Sequence, residues 1–195
     1  MANDSALKHG VRVAALGDSI TWGFPGGPMT SWVQRTTDRL GVEITNLGVN
    51  GETLRDMRNR VGQVIALRPY ACIVMGGTND VGLGRQVEHM AQDLVAIVEA
   101  LTAAGVQPMI GMPIPFLAEV PERELSGFRH FIQSFAGTRR IRVIPFDRAF
   151  RDPSGAIIAR YFMDALHPSL EGYQAMSDLL VESGALTRIG EGTGD

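Results

Sequence analysis

Residues 11–23 read VRVAALGDSITWG, and this stretch decides how the chain folds. Its first part, residues 11–16, is a short apolar run of the kind found in buried strands, and Gly17 permits a tight turn directly after it. The polar residues Asp18 and Ser19 follow at once. The stretch therefore predicts a buried strand whose carboxyl end carries polar side chains.

Apolar strands and helical stretches alternate along the rest of the chain. Four further strands are predicted, over residues 42–47, 70–75, 106–112 and 141–146. Helices are predicted near 29–40 and over 54–67, 85–104, 122–135 and 169–182, the last with Ser169 as its N-cap. This alternation is typical of an α/β protein with a parallel sheet. We expect a flavodoxin-like three-layer α/β/α sandwich with a five-stranded parallel sheet, forming a single domain over residues 1–195 with its core at about 11–183.

Composition and charge exclude several classes of protein. The 195 residues carry 18 Lys and Arg against 21 Asp and Glu, a net charge of −3 without a basic run, so nucleic-acid binding is not expected. The single cysteine, Cys72, lies in an apolar run and is predicted to be a core residue. The first residues lack the features of a signal peptide, and no stretch is apolar enough to span a bilayer. A cytoplasmic protein without stable membrane insertion is therefore expected.

Four polar blocks are the candidates for chemistry, because ligands of open α/β sheets bind beyond the carboxyl ends of the strands. Three of them directly follow predicted strands: GDSITWG at 17–23, NLGVNGET at 46–53 and GGTND at 76–80. The fourth, DALHP at 164–168, lies just before the last predicted helix. Asp18 and Asp80 are interpreted as acceptors for loop N–H groups.

The blocks contain the residue types that nucleophilic catalysis requires. A serine hydroxyl such as that of Ser19 needs a base within hydrogen-bond reach, and His167 has an ordinary pKa close to neutrality. Asp164, three residues before His167, can reach the other ring nitrogen and hold the imidazole in one tautomer. The N–H groups of Ser19 and Gly51 and the side-chain amide of Asn79 could stabilise a developing oxyanion.

These blocks resemble the signature of the SGNH hydrolase family, also called GDSL esterases and lipases. The four residues of the family's set correspond, in the family's order, to Ser19, Gly51, Asn79 and His167, and the acid of its Asp-x-x-His block to Asp164. The first block departs from the family name only by an isoleucine after Ser19. The resemblance extends from about residue 11 to about 182. It implies a flavodoxin-like fold, hydrolysis of esters or related acyl bonds of small molecules, and no metal or organic cofactor.

Several alternatives stay open at this point. Gly48 is a rival to Gly51 as the oxyanion donor, and Asn79 also suits a turn after two glycines. Acyl transfer to an acceptor other than water would use the same acyl-enzyme, and a non-catalytic ligand-binding module could keep the same fold. An apolar pocket would favour transfer, and its wall could be formed by residues that equally suit the core: Trp22, Met112, Ile114 and Phe116. Because the chain is too short for a lid domain, small or short-chain acyl esters are the expected substrates.

Overall fold

The computed structural model describes residues 12–186, which form a parallel sheet covered by helices on both faces. Within this range the strands are β1 (Arg12–Gly17), β2 (Glu43–Gly48), β3 (Ala71–Met75), β4 (Gln107–Gly111) and β5 (Arg142–Ile144). They pair in the order β2-β1-β3-β4-β5, and every pair is parallel. The predicted α/β/α fold is therefore confirmed. Val11, the predicted start of the first strand, lies outside the described residues.

Alternating side chains of β1 explain why both faces of the sheet are covered. Val13 and Ala15 belong to one buried apolar cluster, whereas Ala14 and Leu16 belong to the other. All four are fully buried, as expected for a strand with helices on both sides. The apolar run at residues 11–16 thus specifies a central strand rather than an edge strand.

The helices of the described range form two layers. They are α1 (Ser19–Trp22), α2 (Trp32–Leu40), α3 (Leu54–Asn59), α4 (Val61–Ala66), α5 (Thr78–Gly82), α6 (Val87–Ala103), α7 (Glu119–Arg139), α8 (Phe146–Ala149) and α9 (Leu170–Glu182), with 3₁₀ turns at Pro28–Thr30 and Ala159–Tyr161. Helices α2, α8 and α9 pack on the face of Val13, and α3, α4, α6 and α7 on the face of Ala14. Among the helices of residues 12–186, none is long and apolar enough to cross a membrane.

The helix predicted over 54–67 is two helices, because the chain breaks at Arg60. This residue has φ −115° and ψ 11°, and it separates α3 from α4. Its guanidinium donates hydrogen bonds to the carbonyl oxygens of Gly17 (3.1 Å) and Leu47 (2.8 Å) at the ends of β1 and β2. Contacts distant in sequence therefore override a local helical pattern.

The remaining differences concern element ends and short helices. The predicted helix at 29–40 begins at Trp32, with Ser31 as its N-cap and a 3₁₀ turn before it. Helix α7 is longer than predicted at both ends. The short helices α1, α5 and α8 were not predicted, because four or five residues are too few for a helical period to show. The Ser169 side chain caps α9 by accepting a hydrogen bond from Gly172 N–H, as predicted.

The strand order places a topological switch point between β1 and β3. The chain passes from β1 to β2 on one side and returns past β1 to β3 on the other. Ligands of open α/β sheets bind at such a point, beyond the carboxyl ends of the strands. The blocks that follow β1, β2 and β3 meet there.

Candidate active site

A chain of hydrogen bonds links Ser19, His167 and Asp164 at the switch point. Ser19 Oγ lies 3.1 Å from His167 Nε2, and His167 Nδ1 lies 2.8 Å from Asp164 Oδ2. Because a carboxylate only accepts, Nδ1 carries the proton, and Nε2 of the neutral ring is then free to accept one from the hydroxyl of Ser19. The arrangement can thus remove the serine proton and stabilise the resulting imidazolium.

Asp18 anchors the start of the short helix that carries Ser19. Its carboxylate accepts hydrogen bonds from Ile20 N–H (2.9 Å) and from the hydroxyl of Thr78 (2.8 Å). Ser19 is the first residue of α1, so its N–H belongs to the unpaired N–H groups of a helix start. Complete burial of Asp18 raises the pKa of its carboxyl to about 6, although these hydrogen bonds and His167 oppose the rise. Asp18 is thus a structural acceptor, as interpreted from the sequence.

Asp164 holds the backbone as well as the ring of His167. Its Oδ1 accepts the N–H groups of Leu166 (2.8 Å) and His167 (2.6 Å), which fixes the turn before α9. Partial burial raises the pKa of Asp164, but hydrogen bonds from His167 and Leu166 outweigh burial and bring the pKa below its ordinary value. The carboxylate therefore stays charged and faces the imidazole.

The backbone N–H groups of Gly48 and Gly51 differ in whether they already donate a hydrogen bond within the protein. Gly48 N–H donates to Asn46 Oδ1 at 2.9 Å. Gly51 has φ +80° in a turn closed by Glu52 N–H and the carbonyl of Val49, and within the described part of the chain its N–H has no acceptor. Of the two candidates, only Gly51 has an N–H free for a ligand.

Asn79 joins the loop after β3 to the loop after β2. Its Nδ2 donates to the carbonyl oxygen of Glu52 at 2.9 Å, which uses one of the two amide hydrogens. Next to it, Asp80 Oδ2 accepts Leu54 N–H at 2.9 Å, and Asp80 Oδ1 pairs with Arg85. The two loops that hold Gly51 and Asn79 are therefore connected by two hydrogen bonds, and Arg85 pairs with Asp80 within the second loop's own segment. Asp80 is a structural acceptor, as interpreted from the sequence.

Sequence reasoning missed the ion pair between Arg60 and Glu52. Arg60 Nε lies 2.8 and 2.6 Å from the two carboxylate oxygens, and the side chains are only 12% and 15% exposed. Through its contacts with Gly17 and Leu47, Arg60 ties the turn of Gly51 to the ends of β1 and β2. Nothing in the local pattern identifies Arg60, because an arginine in a helical stretch is ordinarily a surface residue.

Phe24 and Tyr173 were also missed. The Phe24 ring packs against the imidazole of His167, with 4.5 Å between centroids, and the Tyr173 hydroxyl donates to the Phe24 carbonyl at 2.8 Å. Burial raises the pKa of Tyr173, so its hydroxyl stays a donor. These residues come from segments far apart in sequence, and neither belongs to a polar block.

An open apolar pocket of about 440 Å³ adjoins this packing. One wall is formed by Pro25, Gly26 and Thr30, which follow Phe24, and the other by residues around the start of α9. Met163 and Leu170 of the second wall are 49% and 61% exposed. An apolar surface available to a ligand thus lies beside the segments that carry Phe24 and His167.

Of the four residues considered for an apolar pocket, Met112, Ile114 and Phe116 are buried in the core, whereas Trp22 is only partly buried. Ile114 lies in the core cluster of Val13, and Met112 and Phe116 lie in that of Ala14. The sequence left open whether these residues line a pocket or belong to the core, and the structure places these three in the core. Cys72 is fully buried, as predicted, and burial raises the pKa of its thiol to about 12. Among residues 12–186, no three His, Cys, Asp or Glu side chains are grouped so as to hold a metal ion.

Comparison with known proteins decides the family. The sequence model of the GDSL-like lipase/acylhydrolase family matches residues 15–175. The chain belongs to this family. The matched residues include the whole of the hydrogen-bonded arrangement described above. The reaction class of the family, ester cleavage by a serine hydrolase, therefore agrees with the geometry of the site.

Individual relatives of this GDSL-like chain are distant. It is 29% identical to the Bacillus subtilis (strain 168) lipoprotein YqeF over 54% of its own length, and the match spans about half (49%) of YqeF. A G-D-S-L family lipolytic protein from Desulfitobacterium hafniense DCB-2 is 26% identical, with a TM-score of 0.82 over 88% of this chain and 98% of the other. A G-D-S-L family member from Veillonella parvula DSM 2008, 23% identical, has a TM-score of 0.78 over 88% and 96% of the two chains and supports the fold alone.

Proposed function

We propose that this protein is a serine esterase that hydrolyses small or short-chain acyl esters through an acyl-enzyme on Ser19. The observation that carries the proposal is the continuous hydrogen-bonded chain from Ser19 Oγ through His167 to Asp164. Membership of the GDSL-like family supports the reaction class. The free N–H groups and the remaining amide hydrogen of Asn79 complete the set that an acyl transfer requires.

In the first half of the reaction, His167 Nε2 takes the proton of Ser19 as Oγ attacks the ester carbonyl carbon. The carbonyl oxygen becomes an oxyanion, which accepts hydrogen bonds from Ser19 N–H, Gly51 N–H and Asn79 Nδ2. The imidazolium, stabilised by Asp164, then donates its proton to the alcohol oxygen as the carbon–oxygen bond breaks.

In the second half, His167 takes a proton from water, whose oxygen attacks the acyl-enzyme. The same donors hold the second oxyanion, and collapse returns the proton to Ser19 Oγ while the carboxylic acid leaves. Every proton removed is thus returned, and no group besides the chain's own residues and water takes part in these steps.

The lengths of the connections between strands and helices support a preference for small esters. Between residues 12 and 186 the longest connection between two helices, residues 150–169, carries Asp164 and His167 themselves, and the other connections are short. We infer that the substrate is held by the loops at the sheet edge and the start of α9, without a lid. Higher activity on long-chain than on acetyl or butyryl esters would contradict this inference.

The first experiment measures turnover of p-nitrophenyl acetate and butyrate by the wild type and by Ser19→Ala, with labelling by a fluorophosphonate. Loss of both signals in a folded Ser19→Ala protein is expected. Activity that survives this substitution would overturn the choice of nucleophile, and a folded wild type without turnover or labelling would favour a non-catalytic binding module.

The apolar pocket beside His167 favours one further candidate, an acyltransferase, because an acceptor alcohol could occupy it in the second half of the reaction. Adding 1-butanol to the p-nitrophenyl butyrate assay separates the two activities. Hydrolysis alone yields butyrate, whereas transfer yields butyl butyrate in proportion to the alcohol. The cytoplasmic location and the absence of nucleic-acid partners stay predictions.

A further inference from the structure

The apolar pocket shares its walls with the segments that hold His167. Pro168 follows His167 directly, and Pro25 follows Phe24, whose ring packs against the imidazole. Tyr173, at the base of this region, lines the pocket and binds the Phe24 carbonyl. A group bound here therefore lies on the imidazole side of the site.

Two of the candidate oxyanion donors, Gly51 and Asn79, lie next to residues that pack on the other face of the sheet. Leu54 and Val81, which flank the loops of Gly51 and Asn79, belong to the core cluster on the face of Ala14. Tyr173 belongs instead to the cluster on the face of Val13. The pocket therefore adjoins the face of Val13, whereas the loops of Gly51 and Asn79 adjoin the face of Ala14.

Acyl-transfer chemistry assigns different parts of an ester to these two sides. The carbonyl oxygen must face the oxyanion donors, whereas the oxygen of the leaving alcohol must receive its proton from His167 Nε2. The alcohol consequently departs on the imidazole side. The acyl chain, which stays on Ser19 when the alcohol leaves, has no need of this pocket.

We propose that the apolar pocket binds the alcohol part of the substrate, and that this protein prefers esters of apolar alcohols. This inference rests on the proposed function. The exposed side chains of Met163 and Leu170 provide apolar surface that a bound alkyl or aryl group removes from water. Each methylene buried in this way strengthens binding about fourfold. The volume of about 440 Å³ is larger than a hexyl chain or a benzene ring requires, so groups of either kind fit.

Two ester series test the proposal: acetates of methyl, butyl and hexyl alcohol, and methyl esters of acetic, butyric and hexanoic acid. We expect kcat/KM to rise with the length of the alcohol by roughly fourfold per methylene. In the double variant Met163→Gln/Leu170→Gln that rise should flatten, while the dependence on acyl length stays as in the wild type. Leu83→Gln, at an exposed leucine outside the pocket, is the matched control and should resemble the wild type.

Binding without turnover separates this proposal from the proposed function. The Ser19→Ala protein should bind 1-hexanol by calorimetry, and Met163→Gln/Leu170→Gln in the same background should weaken that binding at least tenfold, or about 1.4 kcal/mol. Normal ester turnover with an unchanged alcohol series in the double variant would overturn the pocket assignment alone. Binding of 1-hexanol by a wild type that cleaves no ester would overturn the esterase and leave the pocket standing.

Discussion

The guanidinium of Arg60 donates hydrogen bonds to both carboxylate oxygens of Glu52, and the two side chains form a largely buried ion pair directly beside the turn of Gly51. The same guanidinium binds the carbonyl oxygens of Gly17 and Leu47. One side chain thereby joins the ends of two strands to the loop that presents Gly51 N–H. We therefore expect this pair to hold the candidate oxyanion hole in place.

We predict that Glu52→Gln lowers kcat about tenfold to a hundredfold, less than the roughly hundredfold to thousandfold expected for losing a whole donor. The substitution leaves Arg60 without its counter-charge, so the turn of Gly51 can shift relative to Ser19. KM should change little, since the pair does not touch the substrate. Steady-state kinetics with p-nitrophenyl acetate measures both constants.

The matched control for Glu52 is Glu99→Gln, which removes an ion pair with Arg139 whose side chains are both more than half exposed. Exposed pairs contribute little, so this variant should keep both kcat and the free energy of unfolding. Equal effects of the two substitutions on kcat would show that Glu52 has no positioning role.

Removing the Asn79 amide should lower kcat by about a hundredfold to a thousandfold, if its free hydrogen stabilises the oxyanion. Asn79→Ala also removes the bond to the Glu52 carbonyl, so unfolding by urea must be measured alongside. A loss of stability without a loss of kcat would assign Asn79 to loop structure, the alternative that the sequence leaves open.

Asp164→Asn should lower kcat by about 10³ to 10⁴, because the amide favours the wrong imidazole tautomer. The control is Asp152→Asn, at a carboxylate that accepts the N–H groups of Ser154 and Ala156 in a similar turn but contacts no histidine. Rates of acyl-enzyme formation by stopped flow distinguish the two variants. Full activity of Asp164→Asn would mean that another group orients His167.

Asp18 should make the protein less stable as the pH rises from about 4 to about 6. Burial raises the pKa of its carboxyl from 3.8 to about 6, so in this window the native state holds a proton that the unfolded state has released. Linkage then lowers the free energy of unfolding with rising pH, by up to about 3 kcal/mol from this group. Asp18→Asn, which is always neutral, should gain stability relative to the wild type between pH 4 and 7. Urea denaturation at pH 4 and pH 7 measures the free energy of unfolding of both proteins. A difference between them that does not change with pH would contradict the prediction.

Tyr173→Phe should remove the hydrogen bond to the Phe24 carbonyl and destabilise the protein by about 0.5–1.5 kcal/mol. Since Phe24 packs against His167, loosening it should also lower kcat/KM by up to about fivefold, the rate equivalent of about 1 kcal/mol. Tyr70→Phe, at an exposed tyrosine, is the control and should change neither quantity. If Tyr173→Phe changes neither the free energy of unfolding nor kcat/KM, the hydrogen bond does not hold Phe24 in place.

The sequence alone determined the class of fold and the polar blocks, because both depend on local patterns. Short apolar runs ending in glycine predict parallel strands, and polar residues directly after them lie at the edge where ligands bind. The interpretation of Asp18 as an acceptor rested on its place beside Ser19 and on the family resemblance, which assigns the acid to Asp164, and Asp80 was interpreted in the same way. Helices of four or five residues were not predicted, since little more than one turn of 3.6 residues is too short for a repeating apolar pattern to show.

Only the tertiary structure decided which groups meet. Ser19 and His167 are 148 positions apart in sequence yet 3.1 Å apart in space, and no local pattern sets such a distance. The same holds for Arg60, whose contacts break a predicted helix, and for Phe24, which packs on His167. The apolar pocket likewise lies at Met163 and Leu170 rather than at the residues that hydrophobicity suggested, because burial depends on how distant segments pack.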